Sequence, residues 1–550
     1  MEAMAWTQQR SARGALVAVW GVLAGAGGLW AQPADLDAWL AVRTPHVTLA
    51  TDAAPARAAA VAATLERFRA AFAQLAPGLE LETPAPTRII AFRDSEHYAP
   101  YRRAGGRGVR VLGQFLSSPD GNLLTLDADP GYVGAFAVIY HEYVHYLVDS
   151  NLPDVPRWFN EGLAEYYSSF RVEGEQVHIG GPVPRAVRWL AKNGVPPLDR
   201  IFSGSPRAKR HDAEEVGDFY AGSWLLVHYL LAGDGERLDK TAALLARLAA
   251  GADAGRALEE IFDLRMSDLA AELAAHLGDG NMQEATLPLS ALPAFEVAVT
   301  PLPPAEMLVE LGELAARVGD RDGAVRHFDR ALAREPRHAG ALAGLAWVDD
   351  LEARFAEAEV LYRDALRLGT EDPVVYLRWG RHLLRTLDLE PQGPAARARA
   401  DRARQAFRRV SELDPSFAEG WAMQGIAQLA PGGDPADGIA SLVRAIDRLP
   451  ARLDLVVRLV SLEVRAGRFE RAQARVEGTL AGRADPATVA AAREEVERGR
   501  LLDSAQQAFD DGRFDQALGL FDQAVSVTSD PVLRERLDAR LRALRDASSH

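Results

Sequence analysis

A spacing of 34 residues runs through the second half of the chain and constrains its fold more than any other feature. Counting Ala305 as position 1, Leu308, Leu311, Gly312, Ala324, Phe328, Ala331 and Pro336 fall at positions 4, 7, 8, 20, 24, 27 and 32. Adding 34 gives Leu342, Leu345, Ala346, Ala358, Tyr362 and Ala365, with Thr370 where the proline would stand. A third unit opens with Tyr376, Trp379 and Gly380 and resumes, after an eleven-residue insertion near 386–400, at Ala403, Phe407, Val410 and Pro415. A fourth carries Trp421, Gly425, Leu442, Ala445 and Pro450, and fainter units follow around Ala472 and around Leu501, Ala505, Ala517, Phe521 and Ala524. Small residues at 8, 20 and 27 let the two helices of a hairpin approach closely, large ones fill the gap, and proline ends the second helix. One hairpin cannot bury its apolar face alone, so six of them should stack into a solenoid.

These positions resemble the tetratricopeptide (TPR) repeat. The resemblance implies an all-α TPR repeat domain over residues 305–550, whose surface grips a protein partner.

A chain of 550 residues is too long for one core. Its formal charge of −15 and pI near 5.4 argue against nucleic acid as a partner, because polyanion binders present basic surfaces that displace counterions. Cysteine is absent, so any metal must sit on histidines and carboxylates. Residues 1–31 read as a signal peptide: Arg10 and Arg13 precede the apolar run Gly14 to Trp30, and the small Ala31 closes it. Export to the periplasm or outside the cell is expected, with no integral membrane domain once the signal is cleaved and an N-terminal anchor if it is not.

Residues 32–284 read as an α+β domain. HVTLAT and TRIIAF are short β-type runs flanking a helical pattern from Ala54 to Leu75. After the AGGRG turn, VLGQFL and NLLTLD flank the turn signal SSPDG and predict a hairpin, and the spacing from Pro197 to about Gly278 is helical. Residues 285–304 are rich in proline and predict a linker.

The chemistry concentrates at Tyr140–Tyr146, which reads YHEYVHY. On a helix His141 and His145 sit one turn apart on one face and can converge on a single ion, while Glu142 lies about 100° round, able to lean over a water on that ion. Two neutral nitrogens and a carboxylate base are what metal-assisted hydrolysis requires. With fifteen residues between them, Glu161 follows His145 within PRWFNEGLAEYY, where Pro156 suits a helix start. A second helix could supply Glu161 as third ligand and Glu165, one turn on, as the carboxylate that accepts the free N–H of a ligating histidine. Two histidines, one glutamate and a water make a catalytic type of zinc site, so one Zn2+ is the expected cofactor.

HEYVH followed by WFNEGLAEY resembles the gluzincin metallopeptidases, in particular the bacterial peptidase MA-like families. The resemblance implies a metallopeptidase domain with a small sheet, an active-site helix and a helical subdomain. It implies His141, His145 and Glu161 as zinc ligands, Glu142 as general base and Glu165 as the outer carboxylate. Related peptidases use a tyrosine in a Y-x-x-G helix to stabilise the tetrahedral oxyanion; Tyr220 in DFYAGSWLLVHYL stands at a comparable helix start, with Ser223 in place of the glycine, and reads equally as a tyrosine packed in a helical core. In such folds a hairpin like VLGQFLSSPDGNLLTLD offers an edge strand to an extended peptide.

His211 reads as a loop residue, His228 as packed in a helix, and His97, His178, His276, His327, His338 and His382 show no ligand spacing. The Arg-rich stretch 396–409 reads as a solvated face. The leading expectation is an exported zinc peptidase that hydrolyses peptide bonds, with TPR repeats recruiting peptide or protein substrates or a partner. The alternative is a non-catalytic cell-envelope scaffold with a structural metal site.

Overall fold

In the computed structural model, the described residues are 36–550 apart from 76–80, 82–84, 103–112, 130–133, 153–154, 204–212, 233–234, 250, 279–281, 388–392 and 549–550. The expected signal peptide, the AGGRG turn and His211 lie outside the described residues.

Five short runs of β-favouring residues build most of one sheet: β1 (Leu40–Arg43), β2 (Thr48–Thr51), β3 (Thr87–Phe92), β4 (Gly113–Leu116) and β5 (Asn122–Asp127). The helix Pro55–Leu75 crosses between the parallel strands β2 and β3; β5 runs parallel to β3, and β4 folds back antiparallel on β5. Side chains alternate across the pleat, so each strand serves two faces. Ile89 and Ala91 of β3 and Leu124 and Leu126 of β5 pack with Phe68, Phe72, Tyr140, Val144 and Leu147. Ile90, Phe92 and Leu123 face the other way and pack with Trp39, Tyr98, Met307, Leu308 and Leu311. One face of the sheet therefore carries the helix Gly134–Asn151, which bears the HEYVH motif, and the other carries the first repeat.

That arrangement corrects the expected linker. Within 285–304, β8 (Ala285–Pro288) pairs with β7 (Gln176–Ile179), itself paired with β6 (Arg171–Glu173), in a three-stranded sheet. β9 (Ala298–Pro301) pairs antiparallel with β1 and completes the order β4-β5-β3-β2-β1-β9 among the described residues. Pro288 and Pro301 sit at the ends of edge strands, where the missing N–H costs no ladder bond. The proline-rich composition marks sheet edges, and Asp35–His550 is one compact unit.

The described residues beyond 303 form six helical hairpins: Pro304–Val318 with Arg321–Arg334, Ala339–Leu351 with Phe355–Arg367, Pro373–Arg385 with Pro394–Leu413, Ala418–Ile426 with Pro435–Arg448, Leu453–Arg465 with Phe469–Arg475, and Pro486–Asp510 with Phe514–Val527. The helix Pro531–Ser548 follows. The small residue at position 8 has its expected reason: a Cβ on Gly312 would stand 2.6 Å from Phe328, and one on Gly380 2.5 Å from Phe407. The insertion lengthens the second helix of the third hairpin. Its arginines are less solvated than expected, for Arg399 is buried against Thr386 and Glu359, and Arg404 against the carbonyls of Ala427 and Pro431. Among the described residues no helix is long and apolar enough to cross a membrane.

Candidate metal centre

Two helices build the site. Gly134–Asn151 turns Tyr140, Val144, Leu147 and Val148 into the core, which leaves His141 and His145 on the remaining face. Arg157–Ser168 is anchored by buried Trp158, Phe159 and Leu163 and delivers Glu161 to the same place. Gly162 permits the fit: a Cβ there would lie 2.3 Å from the Ser223 carbonyl oxygen of the long helix Ala213–Leu231.

The Nε2 atoms of His141 and His145 are 3.0 Å apart, and Oε2 of Glu161 lies 3.6 Å from the first and 3.2 Å from the second. In a tetrahedral zinc site with bonds of about 2.0–2.1 Å, neighbouring ligand atoms stand about 3.3 Å apart, so the three separations match the edges of such a tetrahedron. Glu161 Oε2 is buried without a hydrogen-bond partner. A carboxylate oxygen orphaned between two imidazole nitrogens fits a cation, and among the described residues His141, His145 and Glu161 are the one set of three with metal-holding geometry.

The electrostatics point the same way. Burial alone would lower the pKa of His145, but the close approach of the Glu161 carboxylate, the hydrogen bond to Asn160 and the charge of Glu142 raise it to about 9. Burial would raise that of Glu161, but the two imidazoles bring it down to about 2. The cluster therefore favours a positive charge at its centre.

Asn160, which the sequence reading passed over, accepts a hydrogen bond from His145 Nδ1 at 2.8 Å. That bond turns the Nε2 lone pair toward Glu161. Its signal was present as the asparagine beside Glu161 in WFNEG. Glu165 differs from expectation: its Oε1 is 3.6 Å from His141 Nδ1, beyond hydrogen-bonding distance, and pairs instead with Arg185. Arg185 comes from the helix Pro184–Asn193, which no motif connected to the site.

Tyr220 reaches the cluster, its hydroxyl 3.5 Å from Glu161 Oε1 as donor. Burial, then the charge of Glu161, raises its pKa above the ordinary phenol value, so it stays protonated at neutral pH. A cleft of about 720 Å³ opens beside these groups, lined by His141, Glu142, Glu165, Arg185 and Tyr220 with an apolar wall that includes Trp189. His228 is packed as expected, its Nδ1 2.9 Å from His276 Nε2.

No family model matches the chain. Cellulose synthase operon protein C of Xanthomonas axonopodis pv. citri (strain 306) is 31% identical over 241 residues, which cover 43% of this chain and 15% of that protein. The chain thus spans well under a fifth of the length of that relative. Among solved structures, YrrB, a TPR protein with an unusual peptide-binding site, is 18% identical with a TM-score of 0.30, covering 34% of this chain and 92% of its own. PilF of Pseudomonas aeruginosa is 18% identical with a TM-score of 0.29, covering 43% and 97%. The thermophilic TPR protein TTC0263 of Thermus thermophilus is 15% identical with a TM-score of 0.26, covering 44% and 98%. The hairpin array of this chain, with its 34-residue period, is a TPR-type solenoid.

Proposed function

We propose that the chain is a zinc-dependent peptidase joined to a TPR solenoid that binds protein. The observation that carries the reading is the triangle of His141, His145 and Glu161 ligand atoms, spaced as tetrahedral zinc requires, at the side of a cleft that also holds Glu142 and Tyr220. These residues would hold one Zn2+, and the bound ion would acidify water and polarise a carbonyl. Glu142, on the HEYVH helix, would take the proton from the attacking water and pass it to the leaving amine. Tyr220 would donate its O–H to the oxygen of the tetrahedral adduct, a role its protonated state suits. Asn160 keeps His145 in the tautomer that presents Nε2, and Arg185 holds Glu165 beside His141.

The test compares wild type with Glu142→Gln on unfolded protein and on a peptide library, with zinc measured in both. Retained zinc with hydrolysis reduced by at least a hundredfold is expected. Hydrolysis that survives the substitution removes Glu142 from the mechanism, and a wild type that takes up no zinc removes the site.

A second reading is favoured by the comparisons: a non-catalytic cell-envelope TPR scaffold with a structural metal site. The relatives carry names of repeat and operon proteins, and none of those names is that of a peptidase. Zinc retention without hydrolysis of any peptide is the outcome this reading expects.

A further inference from the structure

The turn that joins β4 to β5 is held by the solenoid. Ser118 to Gly121 forms a tight turn, with the Gly121 N–H donating to the Ser118 carbonyl at 3.0 Å. Its one acidic side chain, Asp120, is buried and accepts from Arg378 Nε at 2.8 Å and from Arg381, both on the first helix of the third repeat. Arg317, from the first repeat, donates to Ser118 Oγ at 2.6 Å and to the Gly121 carbonyl at 2.9 Å. Behind them Glu313 accepts from Arg378 at 3.0 Å and pairs with Arg88 on β3. Arg381 also donates to Glu419 of the fourth repeat at 2.6 Å. Burial would raise the pKa of Asp120, but Arg378 and then Arg381 hold it below the ordinary carboxylate range, so the turn is gripped as a charge.

The same hairpin touches the metal-bearing helix. Phe115 of β4 packs its ring 5.7 Å, centre to centre, from Tyr146, the residue after His145. Tyr146 in turn accepts from the Ala85 N–H at 3.2 Å, just before β3. The β4–β5 hairpin thus carries Asp120, held by the third repeat, at its turn and Phe115, packed on Tyr146 beside His145, in its strand. β4 is also the outermost strand of its sheet among the described residues.

We propose that Asp120 is a positioning residue through which the third repeat sets the placement of β4 and of the His145 end of the HEYVH helix. A buried carboxylate between two arginines does little for net stability relative to apolar packing, but it fixes one geometry, because losing either partner leaves a charge stranded in the interior. A partner that binds and shifts the third repeat would then alter the metal site and the cleft beside it. The zinc arm of the test rests on the metal-site reading above; the amide-exchange arm does not.

The test uses the full chain. Asp120→Asn is compared with wild type for zinc affinity, by competition with a chelator, and for amide hydrogen exchange read segment by segment. The expectation is zinc binding about tenfold weaker and faster exchange in Gly113–Leu116 and Tyr143–Val148, with exchange in Leu453–Val527 unchanged. The double variant Asp120→Asn, Arg378→Met should be no weaker in zinc binding than the single one, since both remove the same link. If Asp120→Asn fails to fold, Arg381→Gln, which leaves Arg378 in place, should show the same pattern to a smaller degree. Unchanged zinc affinity and unchanged exchange at β4 overturn the proposal, as does a rise in exchange spread evenly over the chain. If wild type binds no zinc, the metal reading has failed and the exchange pattern alone decides the coupling.

Discussion

His145 donates from Nδ1 to the side-chain oxygen of Asn160 at 2.8 Å, and this bond sets which nitrogen faces Glu161. Asn160 touches no ion and yet chooses the tautomer of a ligand. Replacing it by alanine should weaken zinc binding by about 10–100-fold while leaving the thermal midpoint of the metal-free protein within a few degrees. Asn160→Asp, which keeps an acceptor in place, should recover most of the affinity. Chelator competition on both variants checks this.

Gly162 is the second sensitive position beside the cluster. The Ser223 carbonyl leaves no room for a Cβ, and backbone cannot swing aside as a side chain can. Gly162→Ala should cost about 1–3 kcal/mol of stability. It should also spread Arg157–Ser168 from Ala213–Leu231, moving Tyr220 from Glu161. A urea titration measures the first effect. A fall in turnover larger than the loss of folded protein would report the second.

His228 is buried beside His276, and burial first, then the neighbouring imidazole, lowers its pKa to about 4. The unfolded chain takes up the proton near the ordinary value of about 6.5. Its contribution is therefore fully present above pH 6.5 and is lost as pH falls from there toward 4, on the order of 3 kcal/mol in all. The urea midpoint should decline over that window in wild type and decline less in His228→Phe. Parallel curves would remove His228 as the source.

The first repeat closes a core that the front half cannot close alone. Met307, Leu308 and Leu311 cover Trp39, Ile90, Phe92 and Leu123, so a chain ending at residue 304 would expose that whole sheet face. Such a fragment should aggregate or show molten behaviour, whereas one extended through the third repeat, to residue 417, should fold and bind zinc. Near-ultraviolet circular dichroism of the two fragments separates these outcomes.

Much of this was legible from residue spacing. The repeat register located the hairpins because Gly312 and Phe328 touch within one unit, so the constraint is local and returns every 34 residues. The HEYVH and WFNEG segments brought His141, His145 and Glu161 to one place because helical periodicity fixes each pair and two adjacent helices must pack. What escaped were contacts between distant parts of the chain. Residues 285–304 read as a linker because proline breaks local structure, and only the partners β1 and β7 turn that segment into two edge strands. The Arg185–Glu165 pair and the Asp120–Arg378 pair span 20 and 258 positions, and no periodicity links such residues.

The account rests on one ion held by two imidazoles and one carboxylate. The most direct measurement is zinc per chain by elemental analysis after chelation, reloading and gel filtration, in wild type and in Glu161→Ala. One equivalent in wild type and less than a tenth in the variant is the predicted result. A wild type that elutes without zinc, or a variant that keeps a full equivalent, would contradict it.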